Sequence, residues 1–540
     1  MGGMVDGEWL RLRIDQLVRQ IPPVYFQSKR WFGSKTRTIT GYRVVDFGLL
    51  ETEPDMFGLL LLEILYEGAE SELYQVPLAL KPESEVPASI REHPVGAAFV
   101  VPTPSGDIWA YDAFAEDRFC ALLHEGMYDD REVQLTRGKV VFRRVPGLLD
   151  SRDVHTVRRV STEQSNTSVI FNDALILKTF RKLSVGLNPE VEVPYFLTTH
   201  TGFDYVPKVA GFIDYRHAGT QQISLGVLQD FVANQGDGYT NTLIRVRDYF
   251  GKVLHFVEER PDYTAYERTQ QALRCSRSMQ DSAHRLGQIT GLLHNALASN
   301  SELPAFRPEP VTGQDIERWE ISIARLIKHV IQAAWAKMAD LPPGEQELLR
   351  LVVTNEPAYL HMIAGLNVLE REACHKTRYH GDYHLGQVLK TGNDFTILDF
   401  EGEPARSLAE RRAKHCPLKD VAGLLRSFNY AVNAILFEVW KERLSDSNQK
   451  AELEGWALAW ENLVRTAFLG GYREATGVPA GPRVIPADDM SFLQVVRIFE
   501  VEKAFYELSY EFNNRPTWIP IPVNGLLRLL QNESSAIQAG

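Results

Sequence analysis

Three side chains in the stretch Arg378–Pro404, RYHGDYHLGQVLKTGNDFTILDFEGEP, have the types and spacing for phosphoryl-transfer chemistry. Asp382 follows a His-Gly pair and offers a carboxylate to take the proton of an acceptor hydroxyl. Gln387 and Asp399 offer an amide oxygen and a carboxylate, the hard oxygen ligands that Mg²⁺ takes. Phosphoryl transfer runs through a loose transition state, so positioning and charge stabilisation are most of what a protein supplies, and one base with two oxygen ligands for a metal covers those roles.

These side chains depend on the elements that carry them. Gln387–Thr391 and Phe395–Phe400 read as strands around Gly392-Asn393-Asp394. With all three residues in the loop, Thr391 pairs with Phe395 and Gln387 falls opposite Asp399. With Gly392-Asn393 alone as the loop, Gly386 stands opposite Asp399 and Gln387 turns to the other face. Asp382 lies in the loop that enters the first strand, and His380 reads as a brace of that loop.

A nucleotide needs its own half of such a site. There is no G-x-G-x-x-G or P-loop pattern, and no Gly occurs between Ser151 and Phe180. Glu163-Gln164-Ser165-Asn166-Thr167-Ser168 precedes a hairpin with Asn172-Asp173 as its turn and Ala174–Lys178 as its return. The hydroxyls and amide of Ser165, Asn166, Thr167 and Ser168 can donate to phosphate oxygens where a Gly-rich loop would use backbone N–H groups, although a plain polar turn has the same composition. Lys178 shares a strand face with Ile176 and is a candidate phosphate contact. Asn188-Pro189-Glu190 signals a helix start, and that helix, running to about His200, carries Glu192 as the acid to orient Lys178.

The chain has 540 residues, 44% of them hydrophobic, and a formal net charge of −12. That length suggests roughly 3–4 domains, fewer if they are large. The acidic balance argues against a general nucleic-acid or anionic-membrane surface. Its four cysteines, Cys120, Cys275, Cys374 and Cys416, lack metal-ligand spacing and read as reduced thiols. The apolar run Met56–Leu65 is too short to span a bilayer, and the first residues lack the apolar core of a signal peptide. A soluble cytoplasmic protein is expected.

Taken in order, the chain opens with an amphipathic helix bearing Leu10, Leu12, Ile14, Leu17 and Val18 and ended by Pro22-Pro23. The segment QSKRWFGSKTRTI sets Lys29, Arg30, Lys35 and Arg37 around Trp31-Phe32. It reads either as a solvated loop with an aromatic anchor or as a loop that touches an anionic or sugar ligand. Strands are expected at Tyr42–Gly48, Leu59–Tyr66, Glu72–Val76, Lys139–Arg143 and Ile223–Val232, and a helix at Tyr111–Glu125. From Leu243 onward the pattern is helical, with long helices at Ser282–Leu297, Gly313–Met338, Pro417–Arg443, Lys450–Thr476 and Ser491–Asn513. Near the end, Glu502, Tyr506 and Tyr510 share one helical face, with Glu511, Asn514, Arg515 and Trp518 close behind. Planar polar groups beside flat aromatics suit a sugar, and an ordinary amphipathic helix with solvated acids has the same pattern. His384 is a further candidate for the acceptor.

Five segments in order carry a family resemblance: EQSNTSVIF with LILKTFRKL and NPEVEVPYFL, HGDYHLGQVL, ILDFEGEP, RRAKHCPLKDVAGLLRSFNYA and EKAFYELSYEFNNRPTWIPIP. Together they resemble the bacterial maltokinases of the aminoglycoside-phosphotransferase-like, protein-kinase-like superfamily. The resemblance implies an α+β, bilobal protein-kinase-like fold. Its parts would be an N-terminal α+β cap over residues 1–105, a nucleotide-binding lobe of sheet plus helix over 106–232, and a large, mostly helical lobe with the catalytic loop and sugar site over 233–540. It implies ATP and Mg²⁺ as cofactors, phosphorylation of maltose to maltose 1-phosphate for α-glucan synthesis from trehalose, and fusion or association with trehalose synthase. In residue terms it makes Asp382 the base and gives Gln387 and Asp399, with Glu401 nearby, to Mg²⁺. Lys178 would contact ATP phosphate and pair with Glu192, and Gln229, Phe231 and Val232 would form the hinge beside adenine. Some of Glu502, Tyr506, Tyr510, Glu511, Asn514, Arg515, Trp518 and His384 would touch the sugar.

The chain departs from the wider kinase pattern in having Gln where Asn is usual at the second metal position, Glu after Asp-Phe, and no Gly-rich loop. Two other readings stand beside this one. A kinase of glucosamine or an aminoglycoside would want an acidic pocket, which Glu502, Glu507 and Glu511 could supply. A non-catalytic sugar-binding partner of trehalose synthase would not need the Lys178, Asp382, Gln387 and Asp399 set.

Overall fold

Apolar runs separated by short polar turns supply the antiparallel strands of the first sheet. The computed structural model describes residues 7–51, 55–103, 106–160, 165–219, 222–443, 447–477 and 481–539. The chain divides into two compact units, Met1–Thr198 with Pro207–Val232, and Thr199–Val206 with Ala233–Gly540.

The first unit begins with α1 (Gly7–Leu17) and α2 (Pro23–Gln27). Next come β1 (Ile39–Glu51), β2 (Met56–Tyr66), β3 (Ala69–Pro82), the short α3 (Ala88–Arg91), β4 (Ala98–Thr103) and β5 (Gly106–Asp112). They form an antiparallel sheet in the order β1-β2-β3-β5-β4. β2 is apolar along its length because both of its faces are covered. Leu60 and Leu62 join Leu10, Tyr25, Phe26 and Phe32 on one side. Leu59 and Leu61 join the core on the other, with Phe119, Leu123 and Val169.

Four sequence expectations change here. Leu12 is 81% exposed, since two residues along a helix is about 200° around it, and the buried face of α1 is Leu10 and Leu17. Tyr111 lies in β5, opposite Ala79 and Ala98, and the helix expected from Tyr111 begins only at Asp117. β5 also carries the first sheet past the cap boundary at residue 105. In QSKRWFGSK, Trp31 and Phe32 are core residues, which favours the aromatic anchor over a ligand loop.

The rest of this unit comprises α4 (Asp117–Tyr128), β6 (Glu132–Gln134), β7 (Lys139–Arg144), β8 (Val157–Arg159), β9 (Asn166–Phe171), β10 (Leu175–Phe180), β11 (Lys182–Leu183), α5 (Pro189–His200), β12 (Val209–Arg216) and β13 (Ile223–Asp230). A second, seven-stranded sheet runs β6-β7-β12-β13-β10-β9-β8. β11 leaves it to pair with β3 of the first sheet. The Gln75 amide donates to the Phe180 and Leu225 carbonyls at 2.5 and 2.7 Å, tying the two sheets together. The β9–β10 turn is Asn172-Asp173, at φ 53° and 50°, with Ala174 N–H donating to Phe171 O at 3.0 Å. The ladder pairs Phe171 with Leu175, so Ala174 is an extra residue at the strand end.

The second unit is helical. It holds α6 (Gly238–Glu259), α7 (Ala265–Cys275), α8 (Arg277–Leu297), β14 (Glu309–Pro310), α9 (Gly313–Lys337), α10 (Pro343–Thr354), α11 (Glu356–Ile363), α12 (Val368–Arg371) and β15 (His375–Lys376). The hairpin β16 (Val388–Thr391) and β17 (Asp394–Ile397) follows, then α13 (Leu408–Arg412), α14 (Leu418–Arg443), α15 (Ser447–Thr476), α16 (Asp489–Asn514) and α17 (Pro520–Ala539). α8 and α15 touch backbone to backbone. A Cβ on Gly287 would stand 2.1 Å from Phe468 O, and one on Gly471 2.0 Å from His284 O. Among the described residues no helix is long and apolar enough to cross a membrane.

Candidate active site

The loop with Asp382 rests on two helices. Gly423 of α14 lets it settle, because a Cβ there would stand 2.6 Å from Tyr383 O. Tyr383 OH lies 3.0 Å from Thr290 Oγ1 of α8. Asp420 of α14, buried at 2% exposure, accepts the backbone N–H groups of His380 (2.7 Å) and Gly381 (2.9 Å). Its position is held by His294 Nε2 at 3.1 Å, and Tyr472 OH lies 2.8 Å from the other ring nitrogen of His294. Carboxylate oxygens on backbone N–H groups fix the loop immediately before Asp382.

His380 braces the loop as expected. Its Nδ1 accepts from Asp382 N–H (3.4 Å), which assigns the ring proton to Nε2, and Nε2 donates to Leu398 O at 2.8 Å. That carbonyl immediately precedes Asp399, so one imidazole joins the base loop to the proposed metal ligand. His384 caps the turn Leu385–Gln387, its Nδ1 accepting from Gly386 N–H at 3.1 Å. Burial holds His384 below the usual imidazole value, and Asp382 acts against it.

The hairpin register differs from the one that favoured the site. Thr391 pairs with Asp394 and Lys390 with Phe395, so the loop is Gly392-Asn393 alone. In a continuous ladder Gln387 would face away from Asp399. Neither residue is in the ladder: Gln387 ends a 3₁₀ turn, and Asp399 has φ 65°, in the left-handed region. These departures bring Gln387 Nε2 to 2.8 Å from Asp399 Oδ2. Glu401 is half-buried, and its carbonyl accepts from Arg411 at 3.1 Å.

Beside Asp382 is a small pocket of about 30 Å³, lined also by Glu403, Arg406, Lys419, Glu502 and Tyr506. Lys503, which the sequence reading missed, reaches Asp382 Oδ1 at 3.3 Å and Glu403 Oε1 at 3.4 Å. Glu403 Oε2 accepts from Arg406 at 2.5 Å, and Glu502 Oε1 from Lys419 at 2.5 Å. Burial pushes Glu403 up, but the charges of Lys503, Arg406 and Lys419 outweigh it and hold the carboxyl below its ordinary range. Burial lowers Lys503, and Asp382, Glu403 and Glu507 more than reverse this, leaving its pKa raised. Glu502 Oε2 is buried and has no hydrogen-bond partner among the described residues.

Of the residues proposed for the sugar, Glu502 and Tyr506 line this pocket. Tyr510, Glu511, Arg515 and Trp518 form a neighbouring cluster of their own. The Arg515 guanidinium lies 5.4 Å from the Tyr510 ring and 4.5 Å from the Trp518 ring, and it pairs with Glu511 at 2.8 Å. Trp518 stacks on Tyr430 at 6.2 Å, and Asn514 donates to Tyr510 O at 2.9 Å. Glu507 pairs with Arg426 at 2.7 Å. A local signal for Lys503, Arg406 and Lys419 existed, since each sits within four residues of an acid, but nothing local told pocket cations from solvated ones.

In the first unit, Lys178 Nζ pairs with Glu190 Oε1 at 3.2 Å. The sequence reading named Glu192 and not Glu190; both are buried in the first turn of α5. Asn166, Thr167 and Ser168 prove to be strand residues of β9 rather than loop, because they pair with Phe180, Thr179 and Lys178. Ser168 is fully buried, and Thr167 Oγ1 accepts from Arg181 Nε at 2.8 Å, while Ser165 stays exposed ahead of the strand. Glu163 and Gln164 lie outside the described residues. Gln229, one residue before the end of β13, stands opposite Ile176 and Val209. Phe231 N–H donates to Ala174 O at 2.8 Å, and Val232 follows at the end of this unit.

Comparison with known proteins adds identity to this geometry. Residues 25–116 match the family model for the maltokinase N-terminal cap domain. A glucosamine kinase of Mycolicibacterium smegmatis is 25% identical over 381 residues, covering 70% of this chain and 80% of the relative. A second, from Streptacidiphilus jiangxiensis, is 22% identical, covering 69% of this chain and 73% of its own length. The solved structure of a glucosamine kinase in complex with glucosamine, ADP and inorganic phosphate superposes with TM-score 0.61 at 19% identity, over 96% of this chain and 99% of the other. Residues 25–116 therefore form a maltokinase N-terminal cap domain, and the chain has the α+β fold of a kinase-like phosphotransferase.

Proposed function

We propose that this protein is an ATP-dependent kinase of a neutral sugar, with maltose the leading acceptor and maltose 1-phosphate the product. The observation that carries the reading is the charge balance of the pocket beside Asp382. Of the four acids that line it, Asp382, Glu403 and Glu502 are met by Lys503, Arg406 and Lys419, and Asp420 is engaged by the N–H groups of His380 and Gly381 and by His294. A pocket whose carboxylates are already engaged offers hydrogen bonds with little free negative charge, which suits hydroxyls better than an ammonium group. The other two acids that would have favoured a cationic acceptor, Glu507 and Glu511, are matched by Arg426 and Arg515. The unpartnered Glu502 Oε2 is an acceptor for a sugar hydroxyl.

On this reading Asp382 takes the proton of the attacking hydroxyl as its oxygen bonds the γ-phosphorus, while the bond from that phosphorus to the β–γ bridging oxygen breaks and ADP leaves with the electron pair. The backbone brace from Asp420 and His380 keeps that carboxylate within reach. Lys178, paired with Glu190, contacts the nucleotide phosphates, and Glu192 is a further acid to orient it. Ser165 is the remaining polar group at the mouth of the hairpin, and Gln229, Phe231 and Val232 border adenine.

The donor set suits Mg²⁺. Gln387 gives its NH₂ to Asp399, which leaves its carbonyl oxygen for a hard cation beside the Asp399 carboxylate, with Glu401 close by. Among the described residues no cluster of three or more His, Cys, Asp or Glu could hold an ion alone, which suits a metal that keeps waters and phosphate oxygens in its shell. When bound, the ion neutralises charge on the transferring phosphoryl group.

The names of the relatives favour a second reading, glucosamine as acceptor. An acceptor panel with coupled ADP detection separates the two. Turnover with maltose well above glucosamine, and a sugar 1-phosphate by phosphorus NMR, is expected. Preference for glucosamine would replace the neutral acceptor, and no ADP with any sugar would remove the kinase reading.

A further inference from the structure

The Asp382 backbone is fixed by its neighbours, but those contacts leave its side-chain torsions open among staggered rotamers. Among the described residues, Lys503 is the one hydrogen-bonding partner of the Asp382 carboxylate, at 3.3 Å. The same ammonium holds Glu403 Oε1 at 3.4 Å, and Glu403 is itself anchored by Arg406. Lys503 also lies 4.7 Å from the Tyr506 ring centroid, on the same helix, and its side chain is only 21% exposed. The lysine is thus clamped between an anchored acid and an aromatic ring, with its third contact on Asp382.

We propose that Lys503 is a positioning residue that aims the Asp382 carboxylate at the acceptor hydroxyl, using Glu403 as its fixed second anchor. This role rests on the reading of Asp382 as the base. A general base must lie within about 2.6–3.2 Å of the proton it takes. A displacement of about 1 Å costs on the order of 10²-fold in rate. An ammonium on a base weakens it as a proton acceptor, which a loose phosphoryl transfer tolerates, because the base has little bond-making to drive. The lysine comes from α16, far along the chain from the catalytic loop, so the acceptor helix and the base are held by one contact.

Two measurements test this. In steady-state kinetics, Lys503→Met is expected to lower kcat about 10²-fold with the KM for ATP nearly unchanged, and Lys503→Arg to recover at least about tenfold of that loss, since a guanidinium can span both carboxylates. In carbodiimide labelling with glycine ethyl ester, mapped by peptide mass spectrometry, Asp382 is expected to react faster in Lys503→Met than in wild type, while Glu403, still held by Arg406, changes little. A kcat within about threefold of wild type, or unchanged Asp382 labelling, overturns the proposal. Lys503→Gln serves as the uncharged variant if the Met variant does not fold. If wild type turns over no sugar at all, the kinase reading fails, and the labelling comparison still decides whether Lys503 governs Asp382.

Discussion

Gln387 Nε2 lies 2.8 Å from Asp399 Oδ2 although the hairpin between them is closed by a two-residue loop. An uninterrupted ladder in that register would send the two side chains to opposite faces. The meeting depends on Asp399 holding φ 65°, a conformation that Asn and Asp tolerate better than other residues with a Cβ. Asp399→Asn should therefore keep the fold and its melting temperature while lowering turnover by at least about 10²-fold, because it removes a charged ligand for the metal. Asp399→Ala should lose activity too, and in addition melt as if destabilised by about 1 kcal/mol. Thermal melts of the two variants side by side check the difference.

Asp382→Asn should cut kcat by about 10²- to 10⁴-fold, the range for loss of a positioned base. The stability should change little, since the loop is held by Asp420 and His380 through backbone groups. Single-turnover kinetics with a fold check by circular dichroism test it. Activity near wild type would remove Asp382 from the chemistry.

Asp420→Ala should act on the same loop from below. It leaves the N–H groups of His380 and Gly381 and the ring of His294 without their shared acceptor. The expected loss is about 2–4 kcal/mol of stability, given at least one buried donor unsatisfied at about 1–3 kcal/mol, together with a fall in kcat. Denaturant unfolding followed beside activity reads both.

Asp214 gives the pH prediction. It is fully buried in β12, neither oxygen has a hydrogen-bond partner among the described residues, and Arg216 lies 3.6 Å away. Burial pushes its carboxyl up to about 6, with Arg216 and Ser224 opposing. The folded value thus lies above the unfolded one near 3.8, so this group's contribution is present in full below about pH 4 and is lost as pH rises through about 6. A shift of about two units corresponds to roughly 3 kcal/mol. Asp214→Asn should flatten stability between about pH 4 and 6 and raise it at pH 7 to 8. Melting temperatures across that range check the slope and its sign.

Arg181 gives a stability prediction for the first unit. Its guanidinium bonds Asp112 at 2.7 Å and Thr167 at 2.8 Å and lies 4.9 Å from the Trp31 ring and 4.8 Å from the Phe114 ring. Removing one partner of such a pair leaves a charge without compensation, so Arg181→Met should cost about 3–5 kcal/mol. Thermal or denaturant unfolding of the variant measures it.

The elements were legible where a pattern repeated over many residues, as in α8, α9, α14 and α16. They were lost where an apolar run crossed a junction. Tyr111–Leu123 passes from strand to helix without a Gly or Pro to mark the change, and it read as helix throughout. Asp382, Gln387 and Asp399 could be proposed together because they lie within one short stretch. The register was not, because it turns on one left-handed residue that no composition announces. Lys503 escaped for another reason: it lies 121 residues from Asp382, and its neighbour Glu502 drew the attention to the sugar. Charge pairing across such distances is a property of the folded chain, and with it went the distinction between an acidic pocket and a balanced one.

The backbone contact between α8 and α15 bears on how this protein could be made hardier. Replacing helical glycines with alanine is a common route to a more heat-resistant protein, worth about 0.4–1 kcal/mol where there is room. At Gly287 and Gly471 there is none, and an added methyl would wedge the helices apart. Those helices bring His294 and Tyr472 together, and His294 steadies the acid under the loop that carries Asp382. An engineer reading only secondary structure would choose these two sites early and would disturb that loop while aiming at the melting point.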